Sequence, residues 1–139
     1  MRIVISTERR KVFDMKITKI KEIFTAEDES VYEMVGCSDE AGGTKYHNIV
    51  QVLMPPGHSG GSHYHKSAEE TYYILKGEAD IVINGHSFKA APGMMVSILP
   101  GEIHDVINNT DTAFELLAIS APAFLPEDSI DCEMPSKKD

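Results

Sequence analysis

Apolar and polar residues alternate along most of this chain, and Gly, Pro or Asn interrupts the alternation every few residues. A period of two marks a strand with one face buried. Strands are accordingly predicted over residues 31–35, 46–54, 63–65, 70–76, 78–83, 86–90, 94–99, 104–108 and 113–120. The run 46–54, YHNIVQVLM, is nearly unbroken in its apolar character, as in strands covered on both faces. Asn84-Gly85 between two alternating runs predicts a hairpin. The tracts SDEAGGT at 38–44 and NNTDT at 108–112 read as loops. Residues 16–24 fit either a strand or one turn of helix, Ile3-Val4-Ile5 fits a short edge strand, and 25–29 fits a capped turn with Thr25 as N-cap. From Ala121 onward, Pro122, Pro126, Pro135 and many charges predict an irregular tail, docked in part through Phe124 and Leu125. No long amphipathic helix and no repeat is evident. Many short strands separated by turns predict an all-β sandwich or barrel.

Candidate chemistry is concentrated in two stretches, GHSGGSHYHKSAEETYYILKG at 57–77 and GMMVSILPGEIHDVIN at 93–108. His63 and His65 are two apart and project from one strand face, with Tyr64 on the other. Glu70 lies five beyond His65, an odd offset, so a turn or bulge through Lys66, Ser67 and Ala68 has to restore its direction. Glu70, Tyr72 and Ile74 then share a face, and Thr71, Tyr73 and Leu75 share the opposite one. His104 shares its face with Val106 and Asn108. Imidazole suits iron, nickel, copper and zinc, and carboxylate also suits manganese and magnesium. Three imidazoles and a carboxylate leave two positions open on an octahedral ion, whereas a structural zinc site more often uses cysteine and closes all four.

These two stretches resemble the motifs of the cupin superfamily. Gly57, His63, His65, Glu70 and Gly77 meet every spacing of the first motif. Gly93, Gly101, His104 and Asn108 fit the second, with Leu99 standing where the family has its first proline. Fifteen residues separate the motifs, and the resemblance covers about residues 46–120. It implies a double-stranded β-helix, or jelly-roll barrel, with N-terminal strands in 1–45, a core barrel at 46–120 and a tail at 121–139, all in one domain. It also implies a divalent transition metal (iron, manganese, nickel or zinc) on His63, His65, Glu70 and His104. Glu69 is the rival ligand; parity and the resemblance favour Glu70.

Composition narrows the partners. Thirteen basic against twenty-two acidic residues give a formal charge of −9 over 139 residues. Nucleic acid and anionic membrane reward a basic face and are not expected partners. No apolar run is long enough to span a membrane, and no signal peptide is evident. Two cysteines, Cys37 and Cys132, without a Cys-x-x-Cys motif point to a reducing cytoplasm. Tyr73 and Leu75 are expected to point outward, and such apolar residues predict a homodimer, the competing reading being that the N-terminal segment covers them.

For function, the resemblance leads to a metal-dependent enzyme of dioxygenase type acting on a small molecule. The alternatives are a non-redox isomerase, lyase or cyclase, or a module that binds a sugar or organic acid without chemistry. Tyr72 is the candidate proton or hydrogen-bond donor, with packing as the plainer role. Glu102 and Asp105 flank His104 and are candidates to orient an imidazole, with the parity of Asp105 against it. His58 is a candidate for the rim of the mouth, and His47 and Gln51 for the cavity wall. His86 is expected at the surface, away from the metal. Cys37, Ser59 and Ser62 lack the context of an activated nucleophile.

Overall fold

The structure is a computed structural model in which residues 21–25, 30–36 and 43–137 are described. The run at 3–5, most of the expected turn at 25–29, and Cys37 lie outside the described residues. Eleven strands and one short 3-10 segment are present among the described residues. They are β1 (Lys21–Thr25), β2 (Ser30–Val35), β3 (Asn48–Met54), β4 (His63–His65), β5 (Glu69–Lys76), β6 (Ala79–Ile83), β7 (His86–Ala90), β8 (Met95–Ile98), β9 (His104–Ile107), β10 (Phe114–Ala121), the 3-10 turn Pro126–Asp128, and β11 (Ser129–Asp131). All pairings are antiparallel. Six strands form one sheet in the order β1-β2-β3-β10-β5-β8, and five form a second in the order β11-β4-β9-β6-β7. The architecture is the all-β jelly roll, or double-stranded β-helix. No helix among the described residues is long and apolar enough to cross a membrane.

Period-two patterning decides which residues fill the space between the sheets. In β5, Glu70, Tyr72 and Ile74 are buried while Tyr73 and Leu75 stay exposed. In β10, Phe114, Leu116, Ala118 and Ser120 point inward in the same alternation. Phe114, Leu116 and Ala118 meet Met54, Val96 and Ile98 of their own sheet and Ala79, Ile81, Ala90 and Val106 of the other in one core. The apolar cluster occupies one part of the interior, and the histidines sit at its border, Tyr72 lying between the two.

Turn chemistry sets the register. Asn84 and Gly85 both have positive φ, 49° and 83°, as a two-residue hairpin of this twist requires. Ile83 then pairs with His86, which leaves His86 exposed at the surface. Gly77 ends β5 with φ +75°, and a Cβ there would meet the Ala113 carbonyl oxygen, so no other residue fits that crossing.

One feature departs from the sequence reading. The strand expected to close the barrel, 113–120, is not the last: β11 in the supposed tail adds to the five-stranded sheet beside β4. A three-residue strand is too short to show a period. The Gly-rich loop before His63 is also held along β9, through Gly60 N–H to Val106 O (3.0 Å), Asn108 N–H to His58 O (2.8 Å) and Gly57 N–H to Asn108 O (2.7 Å).

Asn108 closes this end of the fold. It is fully buried, and its amide nitrogen faces the carbonyl oxygens of Met54 (3.2 Å), Pro55 (3.0 Å) and Thr112 (2.8 Å). Its oxygen accepts from the Thr110 N–H and hydroxyl. Asn108→Ala leaves buried carbonyls unpaired and should cost about 2–3 kcal/mol in urea unfolding. Asn108→Asp turns the donor into an acceptor facing three acceptors and should cost more. An aspartate variant as stable as wild type would contradict this account.

Candidate metal centre

Both sheets contribute to one cluster. His63 and His65 stand on β4, and His104 stands on the neighbouring β9 with His63 as its direct Cα partner. Glu70 stands on β5 of the six-stranded sheet, between Ser120 of β10 and Ile98 of β8. One donor atom from each of the four lies within 4.8 Å of the others. His65, Glu70 and His104 are buried and His63 is half-buried. The odd offset between His65 and Glu70 now has a physical reason. Residues 66–68 carry the chain from one sheet to the other, so the face that points inward is reset between the two strands.

Backbone carbonyls orient two of the rings. His63 Nδ1 lies 2.9 Å from Gly61 O, and His104 Nδ1 lies 2.8 Å from Glu102 O. A carbonyl oxygen only accepts, so each Nδ1 carries the hydrogen and each Nε2 is left with a lone pair. The Nε2 of His65 lies 3.3 Å from Glu70 Oε2, which also stands 3.2 Å from His104 Nε2. The second approach is off the line of a hydrogen bond, so the buried Nε2 of His104 has no hydrogen-bond partner. A buried imidazole nitrogen aimed at a carboxylate, beside two other imidazoles, is a costly arrangement for any purpose but ligation. The cluster is compatible with a divalent metal ion.

Electrostatics agree with that geometry. Burial by itself would raise the Glu70 carboxyl, but the close imidazoles of His104 and His65 outweigh it and hold its pKa down to about 2. Burial chiefly lowers His63, aided by the neighbouring imidazoles. For His65, burial opposes the charged form, but the bond to Glu70 and the charges of Glu70 and Asp128 prevail and raise it.

The remaining candidates fall as follows. Glu69 is exposed and stands apart from the cluster. Tyr72 is buried with its ring centroid 6.1 Å from that of His104. His58 uses Nδ1 on Pro56 O, and His47 is exposed. Gln51 hydrogen-bonds Glu115 on the neighbouring strand. Neither acidic neighbour of His104 orients an imidazole through its carboxylate. Glu102 accepts from the Leu99 N–H (2.8 Å), and Asp105 accepts from Ser59 and Ser62 on the far side of β9, where it pins the Gly-rich loop. Two contributors were missed. Ser120 donates to Glu70 Oε1 at 3.3 Å, and its inward parity at the end of the 113–120 run was the available signal. Asp128 lies beside His65 and nothing in the local sequence marks it.

This fold and constellation define a class. The Cupin domain family model matches residues 50–120, and the chain belongs to the cupin family. It is similar to an oxalate-binding protein of Thermotoga maritima, 35% identical over 82 residues that cover 59% of this chain and 68% of that protein. Among solved structures it is similar to an uncharacterized conserved protein with a double-stranded β-helix domain from Klebsiella pneumoniae. That match has a TM-score of 0.67 at 19% identity, covering 84% of this chain and 91% of that one. It is also similar to a Lactobacillus farciminis oxalate decarboxylase in complex with formate, with a TM-score of 0.69 at 18% identity, covering 81% of this chain and 33% of that one.

His63→Ala and His104→Ala should each lose most of the metal found in wild type by elemental analysis, with the β-sheet circular dichroism kept, and His86→Ala should lose none. Wild-type metal content in both ligand variants would count against this set. In chelated protein, Glu70 contributes stability that is present above pH 4.5 and lost as pH falls toward about 2. The contribution is about 3 kcal/mol. Glu70→Gln should lack that part of the acid-induced loss in denaturant titrations; equal acid slopes would refute it.

Proposed function

We propose that His63, His65, Glu70 and His104 hold one divalent transition metal ion, and that the protein uses it to bind a small organic acid of the oxalate type. The observation that carries the reading is the fixed outward lone pair on Nε2 of His63 and His104, set by the Gly61 and Glu102 carbonyls against a buried Glu70 carboxylate. The 35% identity to an oxalate-binding protein supports the ligand class. Bound there, such an ion supplies Lewis acidity and, if it is iron(II), dioxygen chemistry.

The chain's own residues define the rest. Ser120 and His65 hold the two oxygens of Glu70, and His63, the half-buried member, is the side from which a ligand enters. Tyr72, whose aromatic ring stands next to His104 at the apolar border of the site, is the proposed donor of a proton or hydrogen bond. Catalysis of dioxygenase type is the second reading, favoured by the imidazole-rich donor set. A non-redox isomerase or lyase and a pure binding module are the outcomes that would replace it. All three act on the same site within one domain, in a cytoplasmic setting. Tyr73 and Leu75 of β5 and Met95 of β8, the edge strand, are exposed together on the outer face, with Tyr73 and Met95 direct partners, and they support a homodimer.

Anaerobic protein loaded with iron(II) should bind oxalate in calorimetry, and chelation should abolish the heat. Oxygen uptake with a candidate acid supports the dioxygenase. Turnover without oxygen supports a lyase or isomerase, and binding without turnover supports the module. Equal oxalate affinity with and without metal would overturn the proposal.

A further inference from the structure

The family match ends at residue 120, yet the chain returns to the cluster after it. β11 pairs with β4 so that Ser129 opposes His65 and Asp131 opposes His63. Asp128, the last residue of the 3-10 turn, makes two sets of contacts there. Its Oδ1 accepts the Ser67 N–H (2.9 Å) and its Oδ2 accepts the Ala68 N–H (3.2 Å), while its carbonyl accepts the Lys66 N–H (2.9 Å). These three amides are the crossing between β4 and β5. The same Oδ2 lies 3.8 Å from His65 Nδ1, the nitrogen turned away from Glu70. That Nδ1 is buried and has no hydrogen-bond partner, whereas the other two rings have a carbonyl on theirs.

We infer that Asp128 is the positioning residue of His65, accepting Nδ1–H when Nε2 takes the metal, and that it holds the crossing that delivers Glu70. The inference rests on the metal reading above. It follows from two needs that coincide at one carboxylate. A buried N–H without an acceptor is costly, and among the described residues no other acceptor serves His65 Nδ1. The distance of 3.8 Å has to shorten by about 0.6–0.9 Å to reach hydrogen-bond range, a movement that falls to the His65 ring as Nε2 takes the metal. The C-terminal segment is thereby part of the site and not an appendage.

The test uses the full chain loaded with zinc. Long-range proton–nitrogen correlation spectra of wild type should show His65 bound through Nε2, with an Nδ1–H protected from solvent exchange. In Asp128→Asn that protection should be lost, and zinc affinity by competition with a chelating dye should fall about 10–100-fold. Asp128→Ala should match or exceed this loss, since it also releases Ser67 and Ala68. If Asp128→Ala fails to fold, the wild-type spectrum still decides: ligation through Nδ1, or a rapidly exchanging Nδ1–H, overturns the inference. Unchanged affinity and exchange in Asp128→Asn overturns it alone. Failure of wild type to take up zinc overturns the metal reading and the inference with it.

Discussion

A single carboxylate from one sheet meets three imidazoles from the other, and the rest of the structure is arranged to keep that contact. Glu70 is buried, so its charge has to be matched inside the barrel. The matching group is His65, whose Nε2 faces the carboxylate from a strand on the opposite layer, and Ser120 donates to the second oxygen. The distance between sheets is thus set at this end by polar chemistry and at the other by Ile74, Ile81, Phe114 and Leu116 in the apolar core. The interior of this small barrel is divided, with an apolar part that holds the sheets together and a polar part that gathers the three histidines and the carboxylate.

The short crossing at 66–68 is where the constraint is met. It has no regular pairing of its own, and its amides find their acceptors on Asp128. Unsatisfied amides next to a buried site would loosen the geometry of both His65 and Glu70. The loop on the other side of β4 is handled in a similar way. Asp105, on the outer face of β9, gathers Ser59 and Ser62, and the loop backbone pairs along the same strand. β4, only three residues long, therefore presents two histidines of the cluster while held at both ends by acidic side chains from elsewhere in the chain.

Much of this was legible in the residues. The alternation of β5 and β10, the Asn84-Gly85 hairpin and the exposed position of His86 follow from local rules, because period and turn chemistry act over two to four residues. The choice of Glu70 over Glu69 also followed from parity, since Tyr72 and Ile74 had to share its buried face. Acidic residues near His104 in sequence were poor guides. Glu102 and Asp105 found other partners, and what orients the His104 ring is the carbonyl of Glu102, a group every residue carries.

By itself, then, the chain's pattern determined most of the strands and, through the resemblance of its two motifs to a known family, the class of fold and the four residues that converge, because each depends on short-range periodicity and on spacings within two compact stretches. Only the tertiary structure decided that the histidines and the carboxylate come from opposite sheets, that Ser120 supports Glu70, and that Asp128 stands behind His65. The last two relations join residues fifty or more apart, and a three-residue strand such as β11 has no period to announce it; its place is fixed by the open edge of β4, which exists only once the sheets have formed.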